Sequence, residues 1–366
     1  MKLTLSASHL ADLEKLIATK DENILAASFL SSYLVNNPRL ISVNDILKMK
    51  RRGLEAEKAF VKALNLKLSE GDEKIANVIT HHCSVRCLSK SRKDYESNSY
   101  YQKLLSQTIK NDNWLLTQSS YNAYEAFASQ DIESGEPYYQ EKTYLGYFTE
   151  PFSFPAISEN QDVWMSITPH EMETMKTAIE QVRGKVAVMG LGLGYFPYMI
   201  SMKKEVTEIV IVEKDEAIIS LFKNHLLTLF PYKEKISVIH TDAFSYAKEE
   251  LKSLKADFCF VDLWRNVDDG LPMFVTMKKL EKQAPKTKFI YWIETSLLAM
   301  IRRFFISLFQ EALEGYSASD YLKATTFQDE LFNELYAKIG NREFKDFASL
   351  LSLLSDQALN DLLSRE

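Results

Sequence analysis

Three glycines and three acids stand where a bound nucleotide would meet them. Gly190, Gly192 and Gly194 alternate between an apolar run, Val186-Ala187-Val188-Met189, and a segment of helical length. A second β-rich run from Glu208 to Val212 ends on Glu213, and two later runs end on Thr241-Asp242-Ala243 and Asp262-Leu263-Trp264. Glycine permits positive φ and lets a ligand approach the main chain. The helix that follows offers unpaired N–H groups and a positive dipole end, and Pro197 suits its first turn. An acid closing the second strand can accept hydrogen bonds from ribose hydroxyls. Asp242 and Ala243 put an acid and a small residue where an adenine edge can be read. Asp262, with Leu263 and Trp264 beside it, is a candidate for orienting a nucleophile; the alternative role is a structural strand cap.

The spacing excludes two common nucleotide sites. A dinucleotide fingerprint requires glycine at position 195, where the chain has Tyr195. A P-loop requires a G-K-[ST] sequence, and none follows the glycines. Thr168-Pro169-His170-Glu171 reads as a capping box that opens a helix, which gives Glu171 a structural task. His170 is left free to act as a base if that helix borders the pocket; otherwise it is a surface histidine. Tyr144, Trp164 and Trp264 can wall a cation or planar substrate, or simply pack in a core. His81-His82-Cys83 and Cys87 match no standard zinc spacing, and no metal site is expected.

The elements that must hold these residues follow from periodicity. Residues 1–113 read as a helical domain, with a turn at Asn36-Asn37-Pro38 and a break at Gly53. Residues 114–165 read as a β-hairpin and linker, rich in aromatics and broken by Pro151 and Pro155. Residues 166–296 alternate five strands with helices, which predicts an α/β, doubly wound parallel sheet with its ligand beyond the strands' carboxyl ends. Residues 297–366 read as a helical extension, with Arg302-Arg303 on the wet side of its first helix.

At 366 residues, with 46% hydrophobic and 26% charged side chains, the chain has the composition of a soluble globular protein of more than one domain. A net charge of −6 and a pI near 5.7 argue against a generally basic, nucleic-acid-coating surface. No signal peptide or membrane-spanning stretch is read, and three cysteines suit a reducing compartment, so the cytoplasm is expected. A homodimer is compatible with the sequence.

The ordered set Gly190-x-Gly192-x-Gly194, Glu213, Asp242-Ala243 and Asp262 resembles the class I S-adenosylmethionine-dependent methyltransferases over residues 166 to 295. The resemblance implies S-adenosylmethionine as cofactor. It places the glycines against the methionine moiety, Glu213 on the ribose, Asp242 and Ala243 on the adenine, and Asp262 and Leu263 near the transferred group. Methyl transfer to an unidentified small-molecule or peptide acceptor is the activity it implies. Tyr139-Gln140, His170-Glu171-Met172 and Val212-Glu213-Lys214-Asp215 are similar to motifs of spermidine synthase-like proteins, which implies aminopropyl transfer as the alternative. The glycine turn departs from that branch, since Leu193 stands where those proteins carry an acid. A cofactor-binding protein without turnover is the third reading.

Overall fold

The computed structural model describes residues 1–73, 84–107, 109–110, 114–159, 162–315 and 326–364. A two-residue strand, β1 (Lys2–Leu3), precedes helices α1 (Ala7–Asn36), α2 (Val43–Lys50) and α3 (Ala56–Leu68). Then come β2 (Ser84–Ser89), α4 (Arg92–Glu96), α5 (Ser99–Leu105) and seven strands. These are β3 (Ile109–Lys110), β4 (Trp114–Tyr121), β5 (Phe127–Ala128), β6 (Glu133–Gly135), β7 (Gln140–Tyr147), β8 (Phe152–Glu159) and β9 (Asp162–Ser166). The alternating part runs α6 (Pro169–Gln181), β10 (Gly184–Met189), α7 (Tyr195–Ser201), β11 (Val206–Glu213), α8 (Glu216–Leu221), β12 (Ile236–His240), α9 (Ala243–Glu249) and α10 (Leu251–Leu254). It continues with β13 (Phe258–Val261), α11 (Val267–Leu280) and β14 (Lys288–Tyr291). The tail holds α12 (Glu294–Glu314), α13 (Phe327–Ile339), β15 (Glu343–Phe344), α14 (Phe347–Leu354) and α15 (Asp356–Ser364).

The five strands β10 to β14 form one parallel sheet in the order β12-β11-β10-β13-β14. Its three central strands, β11, β10 and β13, carry short apolar runs buried on both faces: Val186 to Met189, Ile209 to Val212 and Phe258 to Val261 are all buried. A strand covered on both sides needs no polar alternation, which is why these segments read as continuous hydrophobic runs. Sheet order reverses direction at β10, so the carboxyl ends of β10, β11 and β13 converge on one mouth.

Between the first helices and this sheet lie two four-stranded sheets, more than the expected hairpin. One joins β3, β4, β8 and β9. The other joins β2, β7 and β5, with β6 also on β7. Ser84–Ser89 falls within the stretch read as helical, yet it pairs in parallel with Gln140–Tyr147. Its six residues are too few for periodicity to separate from a helix turn, and the partner lies far along the chain. The break at Gly53 separates α2 from α3 as expected. The helix towards His81 and the His81-His82-Cys83 cluster lie outside the described residues; Cys87 is a buried free thiol.

The wet side assigned to Arg302-Arg303 is corrected by the structure. Arg302 is 2% exposed, donates to the Leu354 carbonyl at 2.9 Å, pairs with Asp356 and lies over the Tyr139 ring. Arg303 donates to Glu141 on β7 at 2.7 Å. Tail and β-region both return onto α12 and supply partners for its cations, so charge did not mark solvent there. The chain ends are also joined, through parallel pairing of β1 with β15. Among the described residues, no helix is long and apolar enough to cross a membrane.

One side chain carries the junction between α1 and β7. The Asn23 amide donates to the Tyr139 carbonyl at 2.9 Å, while its oxygen accepts from Glu141 N–H at 3.0 Å. Asn23 is 5% exposed, so its removal leaves two main-chain groups without partners in a dry place. Asn23→Ala is expected to lower stability by about 2–4 kcal/mol, measured by denaturant unfolding. A loss below about 0.5 kcal/mol would mean that water replaces the amide.

Candidate functional site

The converging strand ends open a cleft of about 490 Å³. Its floor is the turn after β10. Gly190 has φ +94°, and a Cβ there would lie 2.0 Å from the Asp262 carbonyl oxygen, so no side chain fits. Gly192 has φ +53° and lines the cleft; a Cβ there would meet nothing within 4 Å. Gly194 differs from the other two. It does not line the cleft, and it faces Phe222, the Tyr100 hydroxyl and Phe230. Its neighbours are the packing under α7, where the sequence reading sets it against the methionine moiety.

Glu213 is held by three main-chain donors. One carboxylate oxygen accepts from Leu191 N–H at 3.1 Å, the other from Lys214 and Asp215 N–H at 2.8 and 3.0 Å. An ionised carboxylate has about four acceptor positions, so roughly one remains for a ligand hydroxyl. Asp242 caps α9 through Ser245 N–H at 2.9 Å, and Ala243 is buried beside it; both line the cleft. Asp215 caps α8 by accepting from Ala217 and Ile218 N–H.

Asp262 and Leu263 line the cleft at the end of β13, and Trp264 forms wall beside them. Burial alone pushes the Asp262 carboxyl up to about 7. Glu171 is the residue whose part here sequence reasoning missed. The capping box is real: Thr168 N–H donates to its carboxylate at 2.9 Å, and Glu171 N–H donates to the Thr168 hydroxyl. The same carboxyl also lines the cleft, and burial, with Asp262 adding like charge, pushes it up to about 8. A cap at the edge of a cleft serves two ends at once, and the sequence motif reports only the first.

His170 does not line the cleft. Its ring lies edge-on to Trp292 at 5.9 Å, its Nδ1 is buried without a partner among the described residues, and burial pulls it down to about 4. It is a neutral packing group behind Trp292, whose indole donates to Thr174 at 2.8 Å. Tyr144 is also away from the cleft, on β7 opposite Arg86. Trp164 belongs to β9, and its side chain lies outside the described residues. Trp264 is the member of the expected aromatic wall placed at the cleft; Trp292, Met165, Met175 and Met273 supply the rest. Among the described residues, no group of three or more His, Cys, Asp or Glu is arranged to hold a metal.

Two tyrosines tie the cleft to its surroundings. Tyr100 on α5 is fully buried, donates to the Leu193 carbonyl at 2.5 Å and stacks on Tyr198 at 4.3 Å. Its neighbour Tyr101 donates to the Ser153 carbonyl on β8, the strand that carries β9.

No family model matches the chain, and no match is found among curated proteins. Among solved structures, it is similar to spermidine synthase from Thermotoga maritima, at 14% identity over 55% of this chain and 72% of that one, with a TM-score of 0.29. It is likewise similar to a spermidine synthase in complex with the transition-state analogue AdoDATO, at 14% identity over 55% and 71%, with a TM-score of 0.28. What the cleft can do follows from its own groups.

The raised carboxyls make a pH prediction. Folded Asp262 and Glu171 keep protons that the unfolded chain releases near pH 4, so the stability they contribute is lost as pH rises through about 7 and 8. Asp262→Asn removes that loss. Its melting temperature is expected to exceed the parent's by more at pH 8 than at pH 5. Equal differences at both pH values would mean that Asp262 is not held protonated.

Proposed function

We propose that the cleft binds an adenosyl-sulfonium donor and serves alkyl transfer from that sulfonium to an amine. In this reading, the five parallel strands are the doubly wound, Rossmann-like sheet of adenosyl-binding enzymes. The observation that carries it is the pairing of an open-faced glycine turn with two uncharged-leaning carboxyls, Glu171 and Asp262, in one cleft. The residues suit the donor. Gly192 leaves its face open, Glu213 keeps an acceptor position for a ribose hydroxyl, and Asp242 and Ala243 border an adenine edge.

When bound, the sulfonium supplies an electrophilic carbon and a neutral thioether leaving group. The protein then contributes position and charge. An amine arrives as an ammonium and must give up a proton before its nitrogen can attack. Asp262 or Glu171, ionised near neutral pH only in part, can accept that proton and release it to solvent afterwards.

Five carboxyls line the cleft, at Glu171, Glu213, Asp215, Asp242 and Asp262, against the cations Lys214 and Arg265. That balance favours a donor without its own carboxylate, and hence aminopropyl transfer from decarboxylated S-adenosylmethionine. The second reading, methyl transfer from S-adenosylmethionine, is favoured by Leu193, a buried apolar residue in the turn where the polyamine branch carries an acid.

Calorimetry with each donor separates the two, and binding of neither would overturn both. Gly192→Ala puts a methyl group into open cleft at a left-handed position, at about 1–2 kcal/mol of backbone strain. It is expected to weaken donor binding at least tenfold, about 1.4 kcal/mol, while the protein stays folded. Unchanged affinity would place the donor elsewhere.

A further inference from the structure

The structure assigns an acceptor class to this cleft: an amine carrying one ammonium on an apolar, ring-bearing body, and not a linear polyamine. The inference rests on the alkyl-transfer reading and deepens it. Negative charge on the acceptor side is gathered at one point, where Glu171 and Asp262 share the cleft wall. Among the described residues, no hydrogen bond is made to the Asp262 carboxylate, so it is open to an ammonium. The other acids lie at the ends of β11 and β12 and hold main-chain N–H groups: Glu213 those of Leu191, Lys214 and Asp215; Asp215 those of Ala217 and Ile218; Asp242 that of Ser245.

Around the acidic pair the wall is apolar and aromatic. Trp264, Trp292, Met175 and Met273 line it. Indole faces attract a cation and an aromatic body alike, and thioethers favour aromatic edges. Trp264 is 5% exposed, and its indole N–H is buried with no hydrogen-bond partner among the described residues. Buried donors are normally satisfied, so this indole N–H marks a place in the wall where a partner is wanting. Gly270 lies directly against this ring; a Cβ there would come within 2.8 Å of it, so the indole is held from behind. Arg265, exposed and next in sequence, puts positive charge on the same wall, which disfavours a second ammonium.

The step balances without a further reactant. The ammonium gives its proton to the acidic pair, the freed nitrogen lone pair forms a bond to the donor's carbon, and the carbon–sulfur electron pair leaves with the thioether. The product leaves as the secondary ammonium, and the acidic pair releases the proton it took to solvent.

Calorimetry of the full chain with tryptamine and with putrescine tests the assignment, followed by turnover of each with both donors. Tryptamine is expected to bind at least tenfold more tightly and to be the amine alkylated. Arg265→Glu, a change at an exposed position, is expected to strengthen putrescine binding at least threefold more than it strengthens tryptamine binding. Putrescine binding as tightly as tryptamine overturns the assignment, as does binding of neither amine while a donor binds. An unchanged preference in Arg265→Glu overturns the charge argument and with it the exclusion of polyamines. Failure of both donors to bind, with the tryptamine preference intact, overturns alkyl transfer and leaves an amine-binding cleft.

Discussion

The molecule depends on the close approach of two main chains, where the turn after β10 meets the end of β13. Gly190 lies so near the Asp262 carbonyl that any side chain would collide with it. That contact fixes the distance between the cleft-lining turn and the acid at the mouth of β13. From the other side, Glu213 holds the same turn through Leu191 N–H, so three strand ends are locked to one another by main-chain contacts. Everything proposed for the cleft presupposes this frame, because groups that must act together have to be placed to within a fraction of an ångström.

Burial does the remaining electrostatic work. Glu171 and Asp262 both line the cleft, and burial pushes both towards the neutral form. His170, the residue before Glu171, is pushed the opposite way by the same desolvation. A cation entering the cleft therefore meets two carboxyls that can become anionic by releasing a proton.

Much of this was legible in the chain, and the illegible parts share a cause. Strands β10, β11 and β13 could be read because a strand buried on both faces is written as an uninterrupted apolar run. The box at Thr168 could be read because capping is local, within four residues. The pairing of β2 with β7 could not, because register between distant segments is set by packing. Arg302 looked wet because its own helix holds no partner for it; Leu354 and Asp356 come from the tail. Tyr144 and His170 were assigned to the site by type, and the fold turns them to other neighbours. Glu171 was explained too early, since a residue with one satisfied oxygen still has another to offer.

Tyr100 and Tyr101 are adjacent on one short helix; one bonds the cleft turn at Leu193 and the other the start of β8 at Ser153. With both hydroxyls engaged, the glycine turn and the sheet bearing β9 are braced against each other. A pocket braced in this way meets its ordering cost during folding, before any ligand arrives, and a ligand then binds without that cost set against its affinity. Selectivity in such a pocket comes from the fit of a preset shape and from fixed charge, with little room for the walls to remould around a poor match.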